Sequence, residues 1–383
     1  MTPATPQPAG AAATTANDAA CSGADAGAGA EASAGAGAPD TGVRHARRAV
    51  LLVNTGTPDA PTAAAVRRFL RRFLSDPRVI ELPRQLWLPL LHGVVLPLRS
   101  PRSAHKYREI WLDEGSPLFV YMQQLRGALQ ARLAADGAPA QVETAFLYSE
   151  PAVPQALARL RDGGATDIVV LPVFPQASGT TQGAVYDQVG AVLRGWRAFP
   201  QLQLRSSYHA EPAYIGALAS HLAGHWRQHG RNEHLLLSFH GIPTACVDRG
   251  DHYADECRAT AARLAEAVGL GPDQWTLSFQ SRFGANRWLG PATVQCFNDL
   301  AGRGVRSLDV MCPGFAVDCL ETLEEIAITG RDTFLTAGGQ RFSYVPALNG
   351  TEAHARALAA VLRASAPRDI QDTGAIPHPW PAA

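Results

Sequence analysis

The chain has 383 residues, of which 46% are hydrophobic and 18% charged, and its 34 Lys and Arg balance 34 Asp and Glu. This length exceeds one typical domain of roughly 100 to 200 residues, so it predicts two domains or one elaborated α/β unit. The balanced charge contains no long block of one sign, which argues against nucleic acid or an acidic polymer as the main partner. A small molecule is the partner that this composition favours.

The cysteines and the apolar segments limit the metal chemistry and the compartment. The six cysteines are scattered and form no CxxC pair, so neither a zinc ribbon nor a disulfide framework is predicted. An iron–sulfur cluster takes four closely spaced thiolates, and we expect none. The amino-terminal region has no basic start followed by an apolar stretch, and no apolar segment reaches the roughly 20 residues of a membrane span. We therefore expect a protein of the reducing cytoplasm.

Residues 1–43 consist mostly of Ala, Gly, Thr and Pro, a composition without the large apolar side chains of a core. We predict that this tail is disordered and that the folded protein begins near Arg44. Strands and helices then alternate. The elements predicted for the first half are a strand at Ala49–Val53, helices at 62–74, 118–133 and 151–161, and strands at 142–147 and 167–173.

Residues 79–111 form a segment rich in Leu, Pro and Trp, with too many apolar residues for one amphipathic helix face. Two interpretations remain open. The segment is either a buried pair of helices or an exposed lip that contacts a flat ligand or a membrane surface, because large apolar patches usually mark binding sites. In the second case we expect Leu91 and Leu96 to face that ligand or membrane.

The second half repeats the alternation around one central stretch, His234–Pro243. Its three consecutive leucines are typical of a strand covered on both faces in a parallel sheet, and Gly241 and Pro243 end that strand. The other elements predicted here are helices at 214–229 and 254–268 and strands at 276–279 and 307–311. Strict alternation of strand and helix predicts parallel sheets with right-handed crossovers, the doubly wound α/β class.

The two halves share the frame LLxxxGxP, which begins at Leu51 in the first half and at Leu236 in the second. In this frame Thr55 corresponds to His240. We infer an internal duplication in which two similar halves face each other across a cleft. The predicted boundaries are 44–200 for the first half, 201–345 for the second, 346–366 for a helix that packs back on the first half, and 367–383 for a tail.

Three residues of the second half are candidates for chemistry. His240 ends the central strand, and ligands of open α/β sheets bind beyond the carboxyl ends of the strands, although one histidine at a strand end is also common without a function. Glu321 and Glu325 lie one helical turn apart on one face. Either Asp318 and Glu321 form a capping box, or the carboxylates and a histidine nitrogen bind a divalent metal such as Fe(II) or Co(II).

Eight short motifs occur along the chain. They are LRSPRSAHKY at 98–107, EGSP at 114–117, FPQASGTT at 174–181, SFHGIP at 238–243, FQSRFG at 279–284, WLGP at 288–291, CPGF at 312–315 and DCLETLEE at 318–325. With these motifs the chain resembles the ferrochelatases, which insert Fe(II) into a porphyrin, over residues 48–365. The resemblance implies two Rossmann-like halves, each with a parallel four-stranded sheet, and a porphyrin between them.

The resemblance also implies roles for ten residues. The catalytic and metal-site residues are His240 and Glu321, with Glu325 behind Glu321 on an acidic path. The porphyrin-binding residues are Tyr148, Tyr253, Trp288 and Phe315 around the macrocycle, Arg99 and Ser116 near its propionates, and Thr55 opposite the histidine. Two residues depart from the family pattern: Thr55 is small and polar, and Ala177 replaces a common aromatic residue. Both departures bear on the shape of the distal pocket.

The implied reaction is insertion of Fe(II) into protoporphyrin IX with release of two protons, the last step of haem synthesis. Fe(II) is then a substrate, and no resident cofactor is implied. A histidine accepts a pyrrole proton at neutral pH, and a carboxylate holds the cation. Two alternatives remain open: a chelatase for another metal or tetrapyrrole, such as a cobalt chelatase, and a two-lobed module that binds porphyrin or haem without turnover. Peripheral contact with the inner face of a membrane through residues 79–111 is a further expectation.

Overall fold

Two four-stranded parallel sheets with helices around them make up the fold, and the predicted doubly wound α/β class is confirmed. The computed structural model describes residues 47–284 and 286–364. The tails predicted at residues 1–43 and 367–383 lie outside these ranges. The described residues belong to one compact unit, so the two sheets are halves of a single body.

The first half is built around the first sheet. Its elements in chain order are β1 (Arg48–Asn54), α1 (Ala63–Leu74), α2 (Arg84–Leu90), α3 (Leu96–Ile110), α4 (Pro117–Ala135), β2 (Gln141–Phe146), α5 (Val153–Asp162), β3 (Asp167–Pro172), α6 (Gln182–Leu193) and β4 (Gln201–Leu204). A π-helical segment, Leu91–Val95, joins α2 to α3. Because β4 pairs with β3, the first half extends past the boundary predicted at residue 200.

The second half is built around the second sheet. Its elements are α7 (Pro212–His229), β5 (His234–His240), α8 (Thr244–Asp248), α9 (Tyr253–Ala267), β6 (Trp275–Gln280), α10 (Thr293–Gly302), β7 (Ser307–Met311), α11 (Leu320–Thr322), α12 (Arg331–Thr336), β8 (Arg341–Val345) and α13 (Glu352–Arg363). A second π-helical segment, Leu323–Gly330, joins α11 to α12.

The two sheets have the same strand order, β2-β1-β3-β4 and β6-β5-β7-β8. Their central pairs are also in the same register. Leu51 of β1 lies opposite Val170 of β3, and Leu236 of β5 lies opposite Val310 of β7. The LLxxxGxP frame therefore starts at equivalent positions of two equivalent strands, as an internal duplication predicts.

One buried apolar layer joins the halves. Alternate residues of the two central strands, Val50 and Leu52 of β1 and Leu235 and Leu237 of β5, belong to the same core cluster. Helix α13 packs against both α4 and α7, so it spans the two halves on this side. Each fully buried side chain of this kind stabilises the folded state by about 1.5 to 3 kcal/mol. This shared core sets the position of one sheet relative to the other.

Residues 79–111 form buried helices that also carry an exposed apolar face, so each of the two interpretations is partly correct. Leu91 and Leu96 are fully buried, so the expectation that these two residues face a ligand or membrane is wrong. Trp87 is also buried, and its Nε1–H donates to the main-chain oxygen of Leu74 at 2.6 Å. The outward face carries five exposed apolar side chains, which we call the apolar lip: Leu82, Leu86, Leu90, Val94 and Leu98. Within residues 47–284 and 286–364, no helix has both the length and the apolar composition of a membrane span.

His354 is a fully buried ionisable side chain on α13. Its Nδ1–H donates to the main-chain oxygen of Asn349 at 2.7 Å, and its Nε2 has no hydrogen-bond partner among the described residues. The pKa of His354 is lowered to about 4, mainly by burial; the hydrogen bond to Asn349 opposes this shift, and the charge of nearby His221 adds to it. A histidine in the unfolded chain has a pKa of about 6.5. Between these two values the unfolded chain therefore binds one proton that the folded chain does not.

We expect the free energy of unfolding to fall as the pH falls from about 6.5 to about 4, with His354 contributing on the order of 3 kcal/mol. His354→Asn removes the titrating group and keeps a side-chain N–H for the Asn349 oxygen. The free energy of unfolding of the variant should therefore depend less steeply on pH. The difference in slope corresponds to at most one bound proton. Urea unfolding at pH 7 and pH 4.5 measures this difference. Equal pH dependence in parent and variant would show that another group is responsible.

Candidate active site

The carboxyl ends of the central strands of both sheets open into one cavity of about 610 Å³. This volume is within the range of small-molecule pockets, roughly 300 to 1,000 Å³. The cavity is lined by all ten residues predicted for the site: Thr55, Arg99, Ser116, Tyr148, His240, Tyr253, Trp288, Phe315, Glu321 and Glu325. The fold thus brings residues from both halves to one place.

Ala177 does not line this cavity, although the neighbouring Gln176 does. The main-chain N–H of Ala177 donates to Oε2 of Glu256 on α9 at 2.6 Å. The turn is thereby tied to the second half through its backbone. Ala177 is therefore not a lining residue, whereas Thr55 does line the pocket.

His240 is the last residue of β5 and is half-buried. Its Nδ1–H donates to the main-chain oxygen of Gly241 at 2.7 Å. Since a carbonyl oxygen accepts hydrogen bonds and cannot donate them, the neutral imidazole carries its proton on Nδ1. The lone pair is then on Nε2, which makes Nε2 the proton-accepting atom. The ring centroid lies 6.4 Å from that of Phe315.

The glycine of the LLxxxGxP frame is required in both halves. At Gly241 a Cβ atom would lie 2.9 Å from the Gln280 main-chain oxygen and 3.3 Å from a ring carbon of Trp288. At Gly56 the backbone has φ +100°, and a Cβ atom would collide with the side chain of Ser149. Because glycine has no Cβ, the chain can turn tightly here. Thr55 and His240 each lie directly before one of these glycines, and both side chains reach the same cavity.

The segment that carries Glu321 and Glu325 is not the regular α-helix that its spacing predicts. The short helix α11 is followed at once by the π-helical segment Leu323–Gly330. Such segments are rare and are frequent at functional sites. Both carboxylate residues line the cavity.

Glu321 is not the N3 residue of the capping box of α11. Cys319 occupies the N-cap position, and its N–H donates to Thr322 Oγ1 at 3.0 Å. Asp318 is buried, and its Oδ1 accepts hydrogen bonds from Thr322 at 2.9 Å and from the Tyr344 hydroxyl at 2.5 Å. The capping-box interpretation of Asp318 and Glu321 is therefore wrong, because a different residue caps the helix.

The two carboxylates are held in different ways. Glu325 accepts two hydrogen bonds from Ser281, one from the main-chain N–H at 2.7 Å and one from the hydroxyl at 2.5 Å. Ser281 has a left-handed backbone with φ 62°, which is uncommon for a residue other than glycine. Glu321 is held through its main chain: Gln280 Nε2 donates a hydrogen bond to the main-chain oxygen of Glu321 at 2.7 Å. Glu325 is thus fixed through its carboxylate, and Glu321 through its main chain.

Burial and hydrogen bonding shift the pKa of Glu325 in opposite directions. Burial raises the pKa of this carboxyl group, whereas the two hydrogen bonds from Ser281 and the charge of His240 lower it, and the net shift is upward. A buried carboxylate is costly unless it is paired or hydrogen-bonded. The two donor groups of Ser281 meet that requirement and keep the side chain in one position.

Aromatic side chains form the apolar walls of the cavity. Tyr148 comes from the first half and is buried, with its hydroxyl donating to Oδ2 of Asp76 at 2.8 Å. The second half contributes Tyr253, Phe315 and Trp288. The Trp288 ring lies 6.0 Å from that of Phe283, measured between centroids. Walls of this kind suit a large, flat, apolar ligand.

Basic and polar lining residues come from α3 and from the amino end of α4. The guanidinium of Arg99 lies over the ring of Phe283, 5.1 Å from its centroid. Burial lowers the pKa of Arg99, and the charge of Glu321 acts in the opposite direction. Ser116 is the N-cap of α4, where its hydroxyl accepts from the Phe119 N–H at 3.3 Å. The amino end of a helix carries partial positive charge, so this wall favours anionic groups.

Sequence reasoning missed three basic residues of the cavity: Arg102, Lys106 and Arg282. Arg102 and Lys106 follow Arg99 by three and seven residues, which places all three on one face of α3. This helical spacing is a signal that is visible in the sequence. Arg282 belongs to the FQSRFG motif. The cavity therefore contains more positive charge than Arg99 alone supplies.

Comparison with known proteins identifies the family. A sequence profile of the ferrochelatase family matches residues 47–366. The ferrochelatase of Methylococcus capsulatus is 52% identical over 317 residues, which cover 83% of this chain and 96% of that protein. The chain belongs to the ferrochelatase family. The ferrochelatase of Aeromonas hydrophila is 47% identical over 316 residues, which cover 82% of this chain and 98% of that protein. The resemblance drawn from the motifs is confirmed, and the protein is a metal chelatase of haem synthesis.

The fold also occurs outside the ferrochelatase family. The structure of SirB from Bacillus subtilis with Fe3+ aligns with a TM-score of 0.50 and 14% sequence identity, over 83% of this chain and 94% of that one. At this identity the likeness concerns the arrangement of strands and helices. It supports the description of two similar chelatase-like halves.

Proposed function

We propose that this ferrochelatase inserts Fe(II) into protoporphyrin IX in the cavity between its halves and releases two protons. The observation that carries the proposal is the convergence of His240, Glu321 and Glu325 on a cavity with aromatic walls. Fe(II) and the porphyrin are both substrates, so no resident cofactor is required. A planar porphyrin with two pyrrole N–H protons admits a metal when the ring bends and the protons leave.

The aromatic walls supply the energy for bending the ring. Tyr148 and Trp288 belong to different halves, and each offers an apolar face to the cavity. Contacts on the wide faces of the macrocycle are remote from the nitrogen atoms where the metal enters. Binding energy from such contacts can hold a distorted substrate, which lowers the barrier of the reacting centre.

His240 is proposed as the base that accepts the pyrrole protons. Its Nδ1–H is held by the Gly241 oxygen at 2.7 Å, so Nε2 has the lone pair. A histidine works as a general base near neutral pH when it lies within hydrogen-bond reach of the proton. The Gly241 carbonyl also stabilises the imidazolium that forms, because it accepts the Nδ1–H bond in both states.

Glu321 and Glu325 are proposed as the metal-side residues, with unequal roles. Both oxygens of Glu325 accept hydrogen bonds from Ser281, so this carboxylate is a fixed negative charge behind Glu321. Glu321 is anchored through its main-chain oxygen and is the better placed of the two to hold the cation. Carboxylate and imidazole ligands together suit a divalent first-row metal.

The propionates of the porphyrin are proposed to lie near the amino end of α4 and the basic face of α3. Ser116 caps α4, and Arg99 and Arg102 line the cavity beside it. Guanidinium groups bind carboxylates strongly and in fixed geometry. We prefer protoporphyrin IX over coproporphyrin because apolar and aromatic side chains form much of the cavity wall. Turnover of Fe(II) separates this proposal from a module that binds porphyrin or haem without reaction.

The apolar lip is proposed to contact a membrane surface peripherally, at the inner face, in a protein of the cytoplasm. Leu86 and Leu98 are 73% and 58% exposed. They lie on α2 and α3, and α3 also provides the Arg99 wall of the cavity. A lip of this kind would allow an apolar porphyrin to pass between membrane and cavity.

We expect Glu321→Gln to lower kcat/KM for Fe(II) by at least about tenfold, which corresponds to about 1.4 kcal/mol of barrier. The substitution removes the charge that holds the cation and keeps nearly the same volume. His240→Ala should lower the rate further, because the base is lost. Anaerobic mixing with Fe(II) and protoporphyrin, followed by the loss of free-porphyrin fluorescence, measures the rate.

Porphyrin affinity should remain within about twofold in both variants, because the aromatic walls are unchanged. Glu266→Gln, an exposed carboxylate on α9, is the control. If Glu321→Gln turns over like the parent, the metal role belongs to Glu325. Stoichiometric quenching without turnover by the parent protein would favour the binding module.

The lip proposal predicts different results for two neighbouring leucine positions. Leu86→Asp should weaken binding to vesicles of phosphatidylcholine and phosphatidylglycerol by at least about threefold, with little change in Tm. Leu91→Asp buries a carboxylate in the core and should lower the Tm strongly or prevent folding. Unchanged vesicle binding by Leu86→Asp would remove the lip from membrane contact.

A further inference from the structure

One ion pair crosses from the first half to the metal-side segment of the second half. Lys106 lies on α3, and its Nζ is 2.8 Å from Oε2 of Glu324 in the π-helical segment Leu323–Gly330. The other carboxylate oxygen of Glu324 accepts from the Thr329 hydroxyl at 3.0 Å. The side chain of Glu324 is 7% exposed, whereas that of Lys106 is 46% exposed. The pair is therefore half-buried and joins two separate elements.

Burial makes this contact stronger than an ordinary surface ion pair. Exposed pairs contribute little, because water and salt screen both charges. A carboxylate that is nearly buried behaves differently, since removal of its cation leaves a charge without compensation. Glu324 must then move toward water or take up a new partner. A movement of Glu324 would shift the π-helical segment on which it lies.

The position of Glu324 gives this displacement a functional consequence. Glu324 lies next to Glu325 and three residues after Glu321, and all three line the cavity. On the other side of the pair, Lys106 shares a face of α3 with Arg99 and Arg102. The helix that faces the porphyrin is thus tied directly to the segment that faces the metal.

We propose that Lys106 is a positioning residue, which acts through Glu324 to hold the metal-side carboxylates at the correct place relative to the bound porphyrin. The inference rests on the proposed roles of Glu321 and Glu325 and goes beyond them, because it assigns Lys106 no direct contact with the metal or the ring nitrogens. Two anchors then hold the segment. Ser281 fixes Glu325 from within the second half, and Lys106 fixes Glu324 from the first half.

The test compares Lys106→Ala and Lys106→Arg with a matched control, Arg159→Ala. Arg159 pairs with Glu143 at 3.1 Å, with side-chain exposures of 45% and 18%, and neither residue lines the cavity. We expect Lys106→Ala to raise the KM for Fe(II) by at least about fivefold, while porphyrin affinity changes by less than about twofold. Lys106→Arg should recover most of the loss, because it restores the cation. The control should behave like the parent.

A double-mutant cycle with Glu324→Gln tests whether Lys106 affects the KM for Fe(II) through Glu324. If Lys106 acts through Glu324, Lys106→Ala should have little further effect in the Glu324→Gln background. Additive losses in the two variants would overturn the inference. A change in porphyrin affinity with an unchanged KM for Fe(II) would also overturn it, because it would make Lys106 a porphyrin contact.

A binding readout separates this inference from the proposed function. Titration with Co(II), followed by its visible absorption, reports metal binding without insertion of iron. Positioning by Lys106 predicts that Lys106→Ala binds Co(II) at least about threefold more weakly than the parent and Arg159→Ala. Equal or tighter Co(II) binding by Lys106→Ala would contradict the inference. Absence of Fe(II) turnover in the parent protein would contradict the proposed function alone.

Discussion

Parallel strands end at the same edge of their sheet, and the rest of this structure depends on that constraint. Each half places its central strand, β1 or β5, so that the carboxyl end opens toward the other half. The shared core behind these strands, with α13 packed on α4 and α7, holds the two edges face to face. A cavity between the halves follows from this arrangement. Thr55 and His240 enter it from equivalent positions because the same LLxxxGxP frame ends both strands.

Hydrogen bonds hold the polar side chains that line this cavity in defined positions. The Gly241 oxygen sets the tautomer of His240, and Ser281 takes up both carboxylate oxygens of Glu325. Glu321 is anchored through its main chain instead. In the proposed mechanism these three residues are the base, the fixed charge and the carboxylate that holds the cation. The contact between Lys106 and Glu324 links this group to α3.

Sequence patterns predicted the elements that are long or deeply buried. They failed where tertiary contacts determine the local backbone structure. The buried runs of β1 and β5 were predicted within one residue at most ends, whereas β4 and β8 were missed because they are short, partly exposed edge strands. Spacing suggested a regular helix at Glu321, but a π-helical segment forms there, and Cys319 replaces Asp318 as the cap. All ten site residues line the cavity, although Thr55, Tyr148 and Tyr253 lie outside the eight motifs. The Lys106–Glu324 pair spans 218 residues, a separation that no local pattern reveals.

We propose that a bent porphyrin lies between the two halves with its nitrogens facing Nε2 of His240. The most direct measurement is a crystal structure of the protein with an N-methylated porphyrin, in which the methyl group tilts one pyrrole out of the ring plane and keeps the ring bent. We expect the ring within the cavity between Thr55 and His240, its propionates near Arg99 and the amino end of α4, and Glu321 on the side of the metal path. A ring bound on the apolar lip, or in the cavity with its nitrogens turned away from His240, would contradict the account.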